Sequence, residues 1–298
     1  MALETRFGDH IRHYVMALLP RHEVEIDVLD KPEPEQVFLL GNRWNDYGLA
    51  FFFALALPVL RSILRATVYE PTANRIYARH KLKMTDKERA EWLRKFNESS
   101  WKLTIFVTFT VTAFLVSYGE TWFHDTRFSW LGRNHFPPCN LTVSKGVRRK
   151  DWLESMIHHI ATSFLLVYSY YVNFTRIGVM TLFIHDMSDI FLEAAKLCRC
   201  AQQEGIGVIM FLIFVPTWII TRNIYFPMVI IRSTLTESLK YAAIHGIAVE
   251  PHYSIFNGLL LLLMILHIYW TYLILKIIYR KLFSGKLDDI REQDVHDD

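Results

Sequence analysis

The stretch SMIHHIATSFLLVYSYYVNFT, residues 155–175, runs for 21 residues without an aspartate, glutamate, lysine or arginine. As an α-helix rising about 1.5 Å per residue it reaches across the hydrocarbon of a bilayer, about 30 Å. Two histidines, His158 and His159, stand inside it. Ionisable groups at that depth are costly, and by default they mark function. The next apolar stretch, residues 177–195, adds His185, Asp186, Asp189 and Glu193. Imidazoles on one span and carboxylates on its neighbour describe a buried acid–base site.

Working outward, the gaps between charged residues mark further spans. They are 47–60, which Arg61 and Arg65 extend by snorkelling; 103–119; 205–221, kinked at Pro216 and continuing past Arg222 over 223–231; and 253–275. With 155–175 and 177–195 the chain reads as about six spans. Lipid leaves no partner for an open backbone group, so the expected form is a bundle of helices. Composition agrees: 52% of residues are hydrophobic, 14% are aromatic, and the 21% that are charged cluster between the apolar runs. A net charge of +3 with cations flanking apolar segments is a membrane pattern and excludes a nucleic-acid partner. Cys139, Cys198 and Cys200 give neither a disulfide framework nor zinc spacing. The first forty residues lack the apolar core of a cleaved signal peptide, so the first span is expected to act as the targeting signal.

Helical geometry sharpens the site. Asp186, Asp189 and Glu193 are spaced i, i+3, i+7 and share one face, which must look into the bundle or a wet cavity. His158 and His159 point about 100° apart. Ser155 and Thr162 flank His158 on its face, whereas the surroundings of His159 are apolar, so the two rings are expected to play different roles. A carboxylate bonded to one imidazole nitrogen would fix the tautomer and leave the other nitrogen to act. His185 either orients an aspartate or caps the cavity. Glu193 either joins the chemistry or pairs with Lys196 or Arg199. Arg176, at a span junction, reads as a snorkelling anchor, and His267 and Trp270 in the last span read as interfacial anchors.

The segment RKDWLESMIHHIATSFLLVYSYYVNFTRIGVMTLFIHDMSDIFLEAAKL, residues 149–197, resembles the Lag1p motif of the ceramide synthases, in the TLC membrane-domain family. An HH pair followed by HDxSDxxLE is long and specific. The resemblance extends over residues 96–276, through FNESSWK, the Phe-Pro after Arg222 and LHIYWTYLILK. It implies an all-α, TLC-like helical barrel in the endoplasmic reticulum membrane, crossing it several times. Residues 1–95 would form a polar segment, a first span and a basic cytoplasmic loop; 96–280 the catalytic membrane domain; and 281–298 an acidic disordered tail. The implied reaction joins a fatty acyl-CoA to the amine of a sphingoid base, giving a ceramide and CoA. The implied site is His158, His159, Asp186 and Asp189, with His185, Glu193 and Arg176 in support. No metal and no cofactor beyond acyl-CoA as co-substrate is implied. A homo-dimer or a hetero-dimer with other ceramide synthases is left open. One histidine either carries the acyl group as an acyl-imidazole or acts as a base on the sphingoid amine. The covalent route is the favoured reading, with His158 as nucleophile and His159 as base or orienter.

One departure stands out. Between WFHD (122–125) and RKD (149–151) the resemblance calls for a further span, whereas residues 126–149 are polar, contain Pro137 and Pro138 and cannot cross as a helix. The basic regions 61–95 and 145–150 both read as cytoplasmic, yet only 103–119 lies between them. The expected resolution is that 103–119 dips into the membrane and returns, keeping the tail cytoplasmic. The same departure raises the alternative of a catalytically impaired, shortened isoform or a regulatory partner of a full-length ceramide synthase.

Overall fold

Each apolar run is helical in the computed structural model, which describes residues 44–81, 83–130, 152–172, 174–244 and 249–284. Helix α1 (Trp44–Leu64) passes through a π-helical turn, Arg65–Tyr69, into α2 (Glu70–Arg79), and α3 is Asp86–Ser117. A short α4 (Thr121–His124) and a 3-10 turn (Thr126–Trp130) follow. Then come α5 (Trp152–Tyr171), α6 (Thr175–Cys200) and α7 (Glu204–Trp218), a π-helical stretch (Ile219–Ile231), α8 (Arg232–Ile244) and α9 (His252–Ser284). Among the described residues there is no strand. The chain is an all-α membrane bundle. Four helical runs are long and apolar enough to cross a membrane: Phe51–Arg79, Asp86–Ser117, Glu204–Ile244 and His252–Arg280. The two helices that carry the histidine pair and the carboxylates fall outside that count among the described residues, because their polar side chains dilute the apolar ones. They are the helices with something to bury.

Helix α3 corrects the expectation of a re-entrant run at 103–119. It is one uninterrupted helix of 32 residues, about 48 Å long. It starts at a capping box: the Thr85 amide donates to Glu88 Oε2 at 2.7 Å and the Glu88 amide to Thr85 Oγ1 at 3.4 Å. Its first half looks too polar to be packed, yet Phe96, Asn97, Ser99, Ser100 and Trp101 are buried.

Pro216 leads into a change of winding. Three residues on, α7 becomes a π-helix that also takes in Pro227. Wider winding relieves the clash and the missing donor that a proline brings to a helix interior. Within this stretch Arg222, Phe226 and Ile230, at intervals of four, turn inward. Helix α9 shows the same logic over its length. Phe256, Leu260, Leu263, His267, Trp270, Ile274 and Ile277 form a buried stripe at alternating spacings of four and three, and Leu261, Ile265, Ile268, Tyr272, Leu275 and Tyr279 form the exposed stripe opposite.

Two sides of the bundle can be told apart. On one, the start of α3 meets the end of α6, with Trp92 Nε1 donating to the Cys200 carbonyl at 3.2 Å. On the other, Trp130 packs edge-on against Phe174 at 5.2 Å and donates to Ser233 Oγ at 3.0 Å, and Phe174 meets Phe256 at 5.3 Å. Trp130 and Trp152 therefore lie on opposite sides. The turn holding Trp130 is fastened there by Arg176, which donates to the Phe128 carbonyl at 2.8 Å. Beside it, the hydrogen bond from Arg127 holds the Asp125 carboxyl below the ordinary carboxylate range. The polar interval 126–149 beyond Trp130, the basic run 145–150 and the acidic tail beyond residue 284 lie outside the described residues.

Candidate active site

Helix α5 turns His158 inward on the same face as Ala161 and Leu165, which are buried. The His158 ring stacks on His185 of α6 at 6.2 Å, stands 6.3 Å from His267 of α9 and meets Trp270 edge-on at 5.1 Å. His159, one position on, is exposed, its ring 5.7 Å from that of His158. The two neighbours in sequence thus look in different directions, as a 100° step requires.

Around His158 the imidazoles are ordered by hydrogen bonds. His185 Nδ1 lies 2.6 Å from the Thr181 carbonyl, which can only accept, so that nitrogen carries a proton. In a neutral ring its Nε2 is then an acceptor, and His267 Nε2, 3.0 Å away, is the donor. Phe226 packs against both rings, at 5.4 Å from His185 and 5.0 Å from His267. His267 is 0% exposed. The structure thereby corrects the reading of His267 and Trp270 as interfacial anchors: both are buried beside the histidine pair, at mid-length of a helix that crosses the bundle.

Arg222 completes the cluster, and sequence reasoning passed over it as a break between two apolar runs. Its Nη2 donates to Asp189 Oδ1 at 2.9 Å and to the His185 carbonyl at 2.9 Å, its Nε donates to Ser188 Oγ at 3.2 Å, and its guanidinium lies 4.3 Å from the Trp218 ring centre. A charged residue inside a span is a default site candidate, and that signal was present in the sequence at Arg222. Asp186 is buried on the same helix turn.

The remaining candidates are elsewhere. Glu193 is paired with Lys196 at 2.7 Å, about 10 Å further along α6 than Asp186. Arg176 lies about 15 Å from Asp186 in the other direction, holding the turn at Phe128 with its guanidinium 5.9 Å from the Trp122 ring centre. The structure therefore gathers His158, His185, Asp186 and Asp189, with His159 at the margin, and does not bring Glu193 or Arg176 to them.

A packed group of imidazoles next to a carboxylate–guanidinium pair can accept, hold and donate protons, and an imidazole nitrogen can attack an acyl carbon.

Comparison with known proteins gives the site its family. The TLC domain matches residues 140–276. The chain is 34% identical to "Ceramide synthase 1 LOH3" of Arabidopsis thaliana and to "ASC1-like protein" of Solanum lycopersicum, each pairing covering 86% of this chain and 94% of the relative. It is 32% identical to "Ceramide synthase hyl-1" of Caenorhabditis elegans over 66% of this chain and 60% of the relative. The pairing with LOH3 runs over 289 residues while drawing on 86% of this chain. The relative thus contributes about thirty residues, in total, with no counterpart here. On identity and coverage together, the chain belongs to the ceramide synthase family of TLC-domain membrane proteins.

Proposed function

We propose that the chain is a sphingoid-base N-acyltransferase that makes ceramide from a fatty acyl-CoA. The observation that carries this reading is the buried packing of His158 against His185, His267 and Trp270 beside the Asp189–Arg222 pair, inside a helical membrane bundle. His158, His159, Asp186 and Asp189 form the site. The unprotonated nitrogen of His158 attacks the thioester carbonyl, the carbon–sulfur bond breaks, and the CoA thiolate takes up the proton that the other ring nitrogen gives up as the acyl-imidazole forms. The amine of the sphingoid base, in its neutral form, then attacks the acyl-imidazole. The carbon–nitrogen bond to His158 breaks, its electron pair returns to the ring, and the proton lost by the amine passes through a base of the site to restore the neutral imidazole. His159, exposed beside His158, is the orienter or base for one of these steps. Acyl-CoA is the only co-substrate required, and no metal or resident cofactor enters. The membrane is that of the endoplasmic reticulum, and the chain pairs there with a second copy or another ceramide synthase.

The test is direct. Membranes of cells devoid of their own ceramide synthases, expressing this chain, should convert sphinganine and acyl-CoA to dihydroceramide above an empty-membrane control. A chain shown to be inserted and making no product would favour a second reading, supported by the polar, proline-containing interval 126–149, too polar to cross as a helix, and by the roughly thirty residues of one relative with no counterpart here. In that reading the chain is a shortened, inactive partner that modulates a full-length synthase.

A further inference from the structure

Three acidic residues share one face of α6, and they do not stand alike. Glu193 is paired with Lys196 at 2.7 Å, and Asp189 with Arg222 at 2.9 Å. Asp186, 6% exposed, makes no ion pair among the described residues. Arg222 is 2% exposed and permanently charged, so it requires an anion. The three groups it grips, the His185 carbonyl, Ser188 Oγ and Asp189 Oδ1, all belong to a single turn of α6, and Trp218 covers the guanidinium from the side. A substrate cation brought to Asp189 would meet that guanidinium at close range, and like charges in a poorly solvated site repel strongly. Asp186 feels the same guanidinium only through space and makes no direct ion pair among the described residues.

We propose that Asp189 is a positioning residue, spent on Arg222 to clamp the turn that carries His185, and that Asp186 alone receives the cationic amine of the sphingoid base. The assignment deepens the acyl-transfer reading and rests on it. The spacing of the two aspartates in the sequence makes them look equivalent; the partner from the π-helical stretch separates them. Asp189 acts through the backbone and His185, whereas Asp186 is the group that meets substrate.

Charge-neutral replacement separates the roles. Asp189→Asn leaves Arg222 buried without an anion, and Arg222→Met leaves Asp189 without a cation; each should lower kcat by about 100-fold. The double variant Asp189→Asn/Arg222→Met removes both charges and should recover to within about tenfold of the parent, with an unchanged KM for sphinganine. Asp186→Asn should raise the sphinganine KM by at least about tenfold while leaving the acyl-CoA KM as it was, and adding Arg222→Met should not restore it. Detergent-solubilised elution of each variant follows folding, and the double variant should also recover any material the single variants lose. A double variant no more active than Asp189→Asn alone, despite normal elution, would mean that Asp189 itself acts on substrate and would overturn the assignment. An unchanged sphinganine KM in Asp186→Asn would overturn the other half. Failure of the parent chain to make dihydroceramide in the same membranes would overturn the acyl-transfer reading and, with it, both roles.

Discussion

His158 has a stacked imidazole on one side, His185 at 6.2 Å, and the edge of an indole on another, Trp270 at 5.1 Å. Acyl transfer through His158 needs a ring nitrogen with a free lone pair, which is the nucleophilic form. With acyl-CoA alone and no acceptor, the peptide carrying His158 should gain the mass of one acyl group, and His158→Ala should abolish that adduct. A fully active chain that never shows the adduct and follows sequential kinetics would instead make the histidine a base for direct attack. The inward imidazole and the carboxylates of this site were legible in the sequence, because ionisable residues in an apolar span have few reasons to be there. Arg222 and His267 carry the same signal more weakly, and it does not assign them to this site. Each sits where a run of apolar residues is only briefly broken, and a lone cation or histidine in that position reads equally well as an anchor at the membrane surface. What separates the readings is the partner on another helix, Asp189 for Arg222 and His185 for His267, and no spacing within one helix contains that information.

Helices α5 and α6 have to approach closely for His158 to reach His185, and the approach is made at Gly178. A Cβ built there would lie 2.6 Å from Ser169 Oγ and 3.4 Å from Ser169 Cβ. Ser169 Oγ is itself engaged, donating to the Leu166 carbonyl at 2.8 Å. Small residues at such crossings are how membrane helices pack without a hydrophobic driving force between them. Gly178→Val should therefore destabilise the bundle by about 1–3 kcal/mol, as overpacking does, read as a lower thermal midpoint in detergent. Ser169→Gly should return part of the loss, and a Gly178→Val chain as stable as the parent would refute a tight crossing there. The number of long helices was readable from the charge gaps, but their extents were not. In α3 the apolar run began at Leu103, while the helix begins at Asp86, because Asn97, Ser99 and Ser100 are buried polar residues that hydropathy counts as loop. The π-winding at Ile219–Ile231 is likewise invisible to a period of 3.6, although Pro216 and Pro227 mark the strain that causes it.

The sidedness of the whole bundle follows from which helix ends meet. Trp92 near the start of α3 reaches Cys200 at the end of α6, whereas Trp130, Phe174 and Phe256 gather on the opposite side. From there α7, the π-helical stretch and α8 cross to the side of Ser233, and α9 returns, so the end of α9 lies with the start of α3. Lysine and arginine are denser on the first side. That side carries Arg75, Arg79, Lys81, Lys83, Lys87, Arg89, Arg94 and Lys95, interleaved with Asp86, Glu88 and Glu91, whereas the second carries Arg127, Arg176, Arg232 and Lys240 with Glu120, Asp125, Glu237 and Glu250. Clustered lysine and arginine resist translocation, so the first side is expected to face the cytoplasm, with the end of α9 beside it. That orientation no longer calls for a re-entrant segment, since α3 is one uninterrupted helix. In sealed microsomes, added protease should remove a C-terminal epitope and cut near His80–Lys83, while an epitope placed after Gly119 should survive until the membrane is opened with detergent. A protected C-terminal epitope, with cleavage still at His80–Lys83, would place the start of α3 and the end of α9 on opposite sides. That outcome would be incompatible with α3 packing along α6 as it does and with His158, Asp189, Arg222 and His267 meeting in one site.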